Sequence, residues 1–124
     1  MIQNREIFQT QPPIDAYGDG GFRIAGRRIE GSVLLTPGGL YSWPGIDMAD
    51  LDDVTLGPII AAAAGFDLLL FGCGPRIVRP SKAVQAILRD RQIACDYLDT
   101  GAACRTYNVL LAENRLVAAA VIAV

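Results

Sequence analysis

The last nine residues of this chain, Leu116-Val117-Ala118-Ala119-Ala120-Val121-Ile122-Ala123-Val124, contain no charged and no polar side chain. A run of that length is too short to cross a bilayer as a helix, and a segment apolar at every position has no solvent face. It reads as a buried strand. Two further segments, Asp67–Phe71 and Ile93–Leu98, have strand character. Helical patterns separate them. Ser81 caps a helix of about ten residues that places Val84, Ile87 and Leu88 on one face. Residues 101–114 form the second helix, with Ala103, Tyr107, Leu110, Leu111 and Asn114 at i, i+4, i+7, i+8 and i+11 and Thr100 as its cap. A β-α-β-α-β order calls for right-handed crossovers and a largely parallel sheet.

The first half has a different rhythm. Residues 1–16 are polar with Pro12-Pro13 and read as an extended arm. Tyr17-Gly18-Asp19-Gly20-Gly21 is a turn, and Phe22–Ala25, Arg28–Glu30, Ser32–Leu35 and Leu40–Trp43 read as an antiparallel meander. Its connections are Gly26-Arg27 and Thr36-Pro37-Gly38-Gly39. Asp47, Asp50, Asp52 and Asp53 then form an acidic connection without the central Gly and closing Glu of a calcium loop. Thr55 is expected to cap a helix with Pro58 in its first turn, ending near Gly65. At 124 residues, the chain reads as one domain over 1–124.

Composition narrows the chemistry. With no histidine, Ser-His-Asp and Cys-His catalysis are excluded, as is any histidine-ligated metal. A net charge of -2 argues against a nucleic-acid partner. Of 11 basic residues only Lys82 is lysine, and arginine forks suit carboxylates, phosphates and protein interfaces. Cys73, Cys95 and Cys104 make no Cys-x-x-Cys pair and read as reduced thiols of a cytoplasmic protein. No secretory signal or transmembrane segment is visible. No metal site or cofactor is expected.

In open α/β sheets ligands collect beyond the carboxyl ends of parallel strands. Here those ends are the Gly72–Arg79 loop and the Asp99–Gly101 turn. The candidate ligand or interaction cleft therefore comprises Gly72, Cys73, Gly74, Arg76, Arg79, Asp99, Thr100, Arg105 and Asn108. Helix N–H groups with Arg76, Arg79 or Arg105 would bind an anion there. Gly72-Cys73-Gly74 lacks a dinucleotide or Walker pattern, so the bland account is a turn followed by a capped helix. Cys73 and Cys104 lie near arginines and a helix start, where a thiol is activated if it is not buried.

Several stretches are similar to landmarks of the Mth938-domain family. These are Gly20-Gly21-Phe22-Arg23-Ile24, Gly31-Ser32-Val33-Leu34, Trp43 and Leu69-Leu70-Phe71-Gly72-Cys73-Gly74. The most specific is Asp99-Thr100-Gly101-Ala102-Ala103-Cys104-Arg105-Thr106-Tyr107-Asn108-Val109-Leu110 with Glu113-Asn114-Arg115. The resemblance covers roughly residues 14–124. It implies a three-layer α/β fold with a mixed sheet, no established catalytic activity, and action by protein–protein contact, as in the family's mitochondrial complex I assembly factor. The leading expectation is a non-enzymatic interaction or assembly module, assisting a membrane (respiratory) complex, with a protein partner. The alternative is a small-molecule or anion-binding protein, including an unrecognised enzyme, using the cleft at 72–79 and 99–108. The expected state is a monomer or small homo-oligomer.

Overall fold

The computed structural model describes residues 6–124; the first five residues of the expected arm lie outside the described residues. A six-stranded mixed sheet forms its middle layer, in the order β1-β6-β5-β9-β7-β8. Its strands are β1 (Glu6–Phe8), β5 (Val33–Thr36), β6 (Gly39–Ser42), β7 (Leu68–Gly72), β8 (Cys95–Leu98) and β9 (Val117–Val121). The apolar C-terminal run supplies β9, which is buried along its whole length. It pairs parallel with β7 and antiparallel with β5, so the sheet changes sense there.

Two crossovers place the helices. From β7, α2 (Lys82–Asp90) leads to β8, and from β8, α3 (Thr100–Ala112) leads back past β7 to β9. These steps run in opposite directions across the sheet, so right-handed crossovers put α2 and α3 on opposite faces. Packing agrees: Val84 and Leu88 of α2 join Leu56 and Ile59 of α1 (Asp53–Ala62) over Leu69, Phe71, Ala118 and Ala120. On the other face Ala103, Cys104 and Tyr107 of α3 meet Leu70, Ala119 and Val121.

The meander is built in two pieces. β2 (Ile14–Gly18), β3 (Gly21–Ile24) and β4 (Arg27–Glu30) form a separate three-stranded sheet that covers the α3 face through Ile14, Phe22, Ile24 and Ile29. β5 and β6 instead join the main sheet. The difference lies in their patterning: Arg27-Arg28-Ile29-Glu30 buries one residue, whereas Val33-Leu34-Leu35 is buried at successive positions and needs cover on both faces.

Helix ends differ in detail from expectation. Asp52, rather than Thr55, caps α1: its carboxylate accepts from the Thr55 N–H at 3.0 Å while the Thr55 hydroxyl accepts from the Asp52 N–H at 2.8 Å. The helix thus starts earlier, and Pro58 falls inside it. Asp99 rather than Thr100 caps α3, which frees the Thr100 hydroxyl for another use. Asn114 ends α3 with φ +61°, and the Arg115 N–H reaches back to the Leu110 carbonyl at 3.0 Å.

Candidate functional site

Opposite crossovers from β7 and β8 create a crevice between the carboxyl ends of these strands, the usual ligand position in such sheets. In this chain that crevice is stitched together. The Cys73 N–H donates to the Leu98 carbonyl at 2.7 Å, and the Thr100 N–H to the Gly74 carbonyl at 2.8 Å. Thr100 is fully buried; its Oγ1 accepts from the Gly74 N–H at 3.0 Å and donates to the Ile122 carbonyl at 2.7 Å. The Ile122 N–H closes the circuit on the Gly72 carbonyl at 2.9 Å. Glycine is required at 72 because a Cβ would lie 2.8 Å from Val121 Cγ1 and 3.1 Å from the Thr100 Cα. Three ends, of β7, β8 and β9, are thereby tied through one hydroxyl.

The start of α3 is occupied in the same way. The Asp99 carboxylate accepts from the Ala102 N–H at 2.8 Å and the Asp99 carbonyl from the Ala103 N–H at 2.9 Å. A protein carboxylate sits where an anion would. Gly72, Gly74, Asp99 and Thr100 are therefore brought together as a junction.

The other expected residues divide between the faces. Cys73 is buried in the α1–α2 core, and burial raises its thiol above the ordinary range against the pull of neighbouring N–H groups and Arg79. The Arg79 guanidinium lies over the Tyr97 ring at 5.3 Å, and Tyr97 stacks on Phe71 with centroids 5.4 Å apart. Arg76 is exposed in the loop beyond β7. Across the sheet, Arg105 donates to the Tyr17 hydroxyl at 3.2 Å. Asn108 clamps β2, accepting from the Ile14 N–H and donating to the Ile14 carbonyl, each at 2.8 Å. Tyr107 donates to the Pro12 carbonyl at 2.7 Å. Arg105, Asn108, Tyr17 and Cys104 border a cavity of about 280 Å³ between β2 and α3. Burial pushes the Cys104 thiol up to about 12, against the lowering effect of Arg105, so it stays protonated at neutral pH. Burial pushes Cys95 to about 11, with Asp96 adding to the rise.

A second opening lies at the carboxyl end of β9. Trp43-Pro44-Gly45-Ile46, leaving β6, faces Gly31-Ser32 and Ile122-Ala123 around about 530 Å³. The Ser32 carbonyl accepts from the Trp43 N–H at 3.0 Å, and the Ser32 hydroxyl from the Ala123 N–H at 3.0 Å. The Trp43 indole N–H donates to the Thr55 carbonyl at 2.9 Å, fixing the ring against α1. Gly45 lies flat on that indole, where any Cβ would overlap the ring. Ile46 projects beside it, 84% exposed. The sequence reading missed this groove. Its available signal was Ile46, an isolated large aliphatic between Pro44-Gly45 and four aspartates.

Together these features define a three-layer α/β domain whose switch crevice is internally bonded and whose open apolar groove lies beside it. The chain belongs to the DUF498/Mth938-like family: residues 14–122 match the family described as "Protein of unknown function (DUF498/DUF598)". It is similar to the NADH dehydrogenase [ubiquinone] 1 alpha subcomplex assembly factor 3 of Homo sapiens, 31% identical over 109 residues. That match takes in 88% of this chain and 59% of the human protein, so the chain spans well under two thirds of that relative. A crystal structure described as an outer membrane protein from Bartonella henselae superimposes with a TM-score of 0.88 at 36% identity, covering 94% of this chain and 98% of that one. A Mth938-like domain from Bordetella pertussis superimposes with a TM-score of 0.72 at 26% identity, over 90% and 85% of the respective chains. Among the described residues, no helix is long and apolar enough to cross a membrane.

Proposed function

We propose that this chain is a non-enzymatic interaction module that assists the assembly of a membrane protein complex from the cytoplasmic side. The observation that carries this reading is Ile46, 84% exposed at the lip of an open apolar groove of about 530 Å³. Covering a large aliphatic side chain there with a partner surface gains about 1.5–3 kcal/mol relative to leaving it in water. The relatives named as assembly factors support the same reading. The internal bonding of the switch crevice turns attention from the usual small-ligand position to this groove. The test is affinity capture from solubilised membranes with the parent chain and Ile46→Asp, paired with native gels of membrane complexes from a deletion strain. A membrane-complex subunit held by the parent and lost by the variant, with incomplete complexes accumulating on deletion, is the expected result. Normal complexes in the deletion strain would overturn it.

A second reading follows from Arg105, whose exposed guanidinium is oriented by Tyr17 at the cleft between β2 and α3. That fork suits a small carboxylate or phosphate. Thermal shifts with a panel of such anions, abolished by Arg105→Ala, would favour this reading; shifts unchanged by the substitution would remove it.

A further inference from the structure

The segment that leaves the Trp43–Ile46 wall of this groove is acidic. Residues 31–75, which supply both its Gly31-Ser32 and Trp43–Ile46 walls, hold five aspartates and no lysine or arginine. Four of them, Asp47, Asp50, Asp52 and Asp53, follow Ile46 directly and are exposed. The Trp43–Thr55 hydrogen bond ties the first turn of α1, which opens with Asp52 and Asp53, to the indole that lines the groove. Asp47 and Asp52 each use one oxygen as a helix cap, toward Ala49 and Thr55, and each keeps a second acceptor oxygen. Where the first wall begins, Arg28 is already paired with Glu30 at 2.8 Å. The remaining wall, Ile122-Ala123, is apolar.

We infer that this groove receives a cationic polypeptide segment, anchored by a large apolar side chain against Trp43, Pro44, Ile46 and Ile122 and flanked by lysines or arginines facing the four aspartates. The inference rests on the interaction-module reading and names the chemistry of its partner. Charge complementarity selects the occupant. An anionic membrane surface or a nucleic acid attracts basic patches and is repelled by this rim. The apolar anchor supplies affinity from the centre of the contact, as buried hot spots do. Exposed rim charges act chiefly on association rate, salt dependence and choice of partner.

The probe is a labelled peptide of leucine, phenylalanine and lysine, set beside counterparts with every lysine replaced by glutamate or by glutamine. Fluorescence anisotropy measures binding to the full chain at low and at physiological salt. The lysine peptide is expected to bind at least about tenfold tighter than the glutamate peptide at low salt, the advantage shrinking as salt rises. Asp50→Asn with Asp53→Asn leaves both capping carboxylates in place and is expected to erase most of that preference. Ile46→Ser, on an exposed side chain, is expected to weaken the lysine peptide about tenfold. Equal binding of all three peptides, lost with Ile46→Ser, would overturn the cationic partner and leave the interaction module standing. Retention of the chain on phosphatidylserine vesicles in preference to the lysine peptide would overturn it in favour of a lipid surface. Indifference of both peptide binding and membrane-complex capture to substitution at Ile46 would remove the inference and the module reading together.

Discussion

Thr100→Val tests the junction of strand ends most directly. Valine keeps the shape and β-branching of threonine, so it opens no cavity in a site with no solvent exposure. What it removes is the hydroxyl, which accepts from the Gly74 N–H at 3.0 Å and donates to the Ile122 carbonyl at 2.7 Å. Two backbone groups lose this partner at once. Each buried polar group so orphaned costs about 1–3 kcal/mol, so the pair puts the loss near 2–6 kcal/mol. That is a large share of the roughly 5–15 kcal/mol that holds a domain folded. Thr100→Ser keeps the hydroxyl and removes one methyl group, a loss of about 1 kcal/mol. Urea unfolding followed by Trp43 fluorescence supplies both values, with an unchanged m-value confirming that stability alone has moved. Hydrogen exchange at the Gly74 amide gives a local readout and is expected to accelerate in the valine variant. A valine variant within about 1 kcal/mol of the parent, or a serine variant as damaged as the valine one, would refute the reasoning.

Asn108→Ala removes both hydrogen bonds that hold Ile14 and is expected to cost about 2–3 kcal/mol, with loss of exchange protection at the Ile14 amide. Unchanged protection would show that the cover of β2 over α3 is held by packing alone. Ala25 adopts φ +53° in the two-residue turn between β3 and β4, and Ala25→Asn is expected to raise stability by about 0.5–1 kcal/mol in the same unfolding assay. Alkaline pH is expected to destabilise the domain. Cys95 and Cys104 are held at about 11 and about 12 by burial, whereas an unfolded thiol titrates near pH 8.5. Between those limits the native chain keeps protons that the unfolded chain has lost, so stability falls with rising pH. It is complete below about pH 8.5 and lost as pH passes through about 11 and 12. A urea midpoint for the parent that stays flat across this range, or a fall equally steep in Cys104→Ala, would contradict that account.

How much of this was readable beforehand follows from what each residue type can signal. β9 declared itself because a run apolar at every position admits one environment, buried on both faces. α3 was nearly as plain, since Ala103, Tyr107, Leu110 and Leu111 recur at helical spacing. The division of the meander between two sheets was harder, because hairpin patterning specifies neighbours along the chain and not which sheet a pair joins. Its signal was the change from one buried residue in Arg27–Glu30 to consecutive buried residues in Val33–Leu35.

The candidate site divides for a comparable reason. Strand order directed attention to the ends of β7 and β8, yet whether such a crevice stays open depends on distances of a few tenths of an ångström between segments far apart in sequence. Gly72 and Thr100, 28 positions apart, approach so closely that even a methyl group on Gly72 would not fit. Nothing in local spacing encodes that contact. Arg79 and Arg105 likewise fall on opposite faces because α2 and α3 leave the sheet in opposite directions, a property of topology and not of either residue. Ile46 was legible in principle. An aliphatic residue that no helical or strand period claims, placed between Pro44-Gly45 and a run of aspartates, has no role in the core that its neighbours can give it. Val54 nearby is 55% exposed and Ile77, Val109 and Leu116 are 52–57% exposed, against 84% for Ile46, so among the described aliphatic side chains Ile46 has the most to gain from a partner.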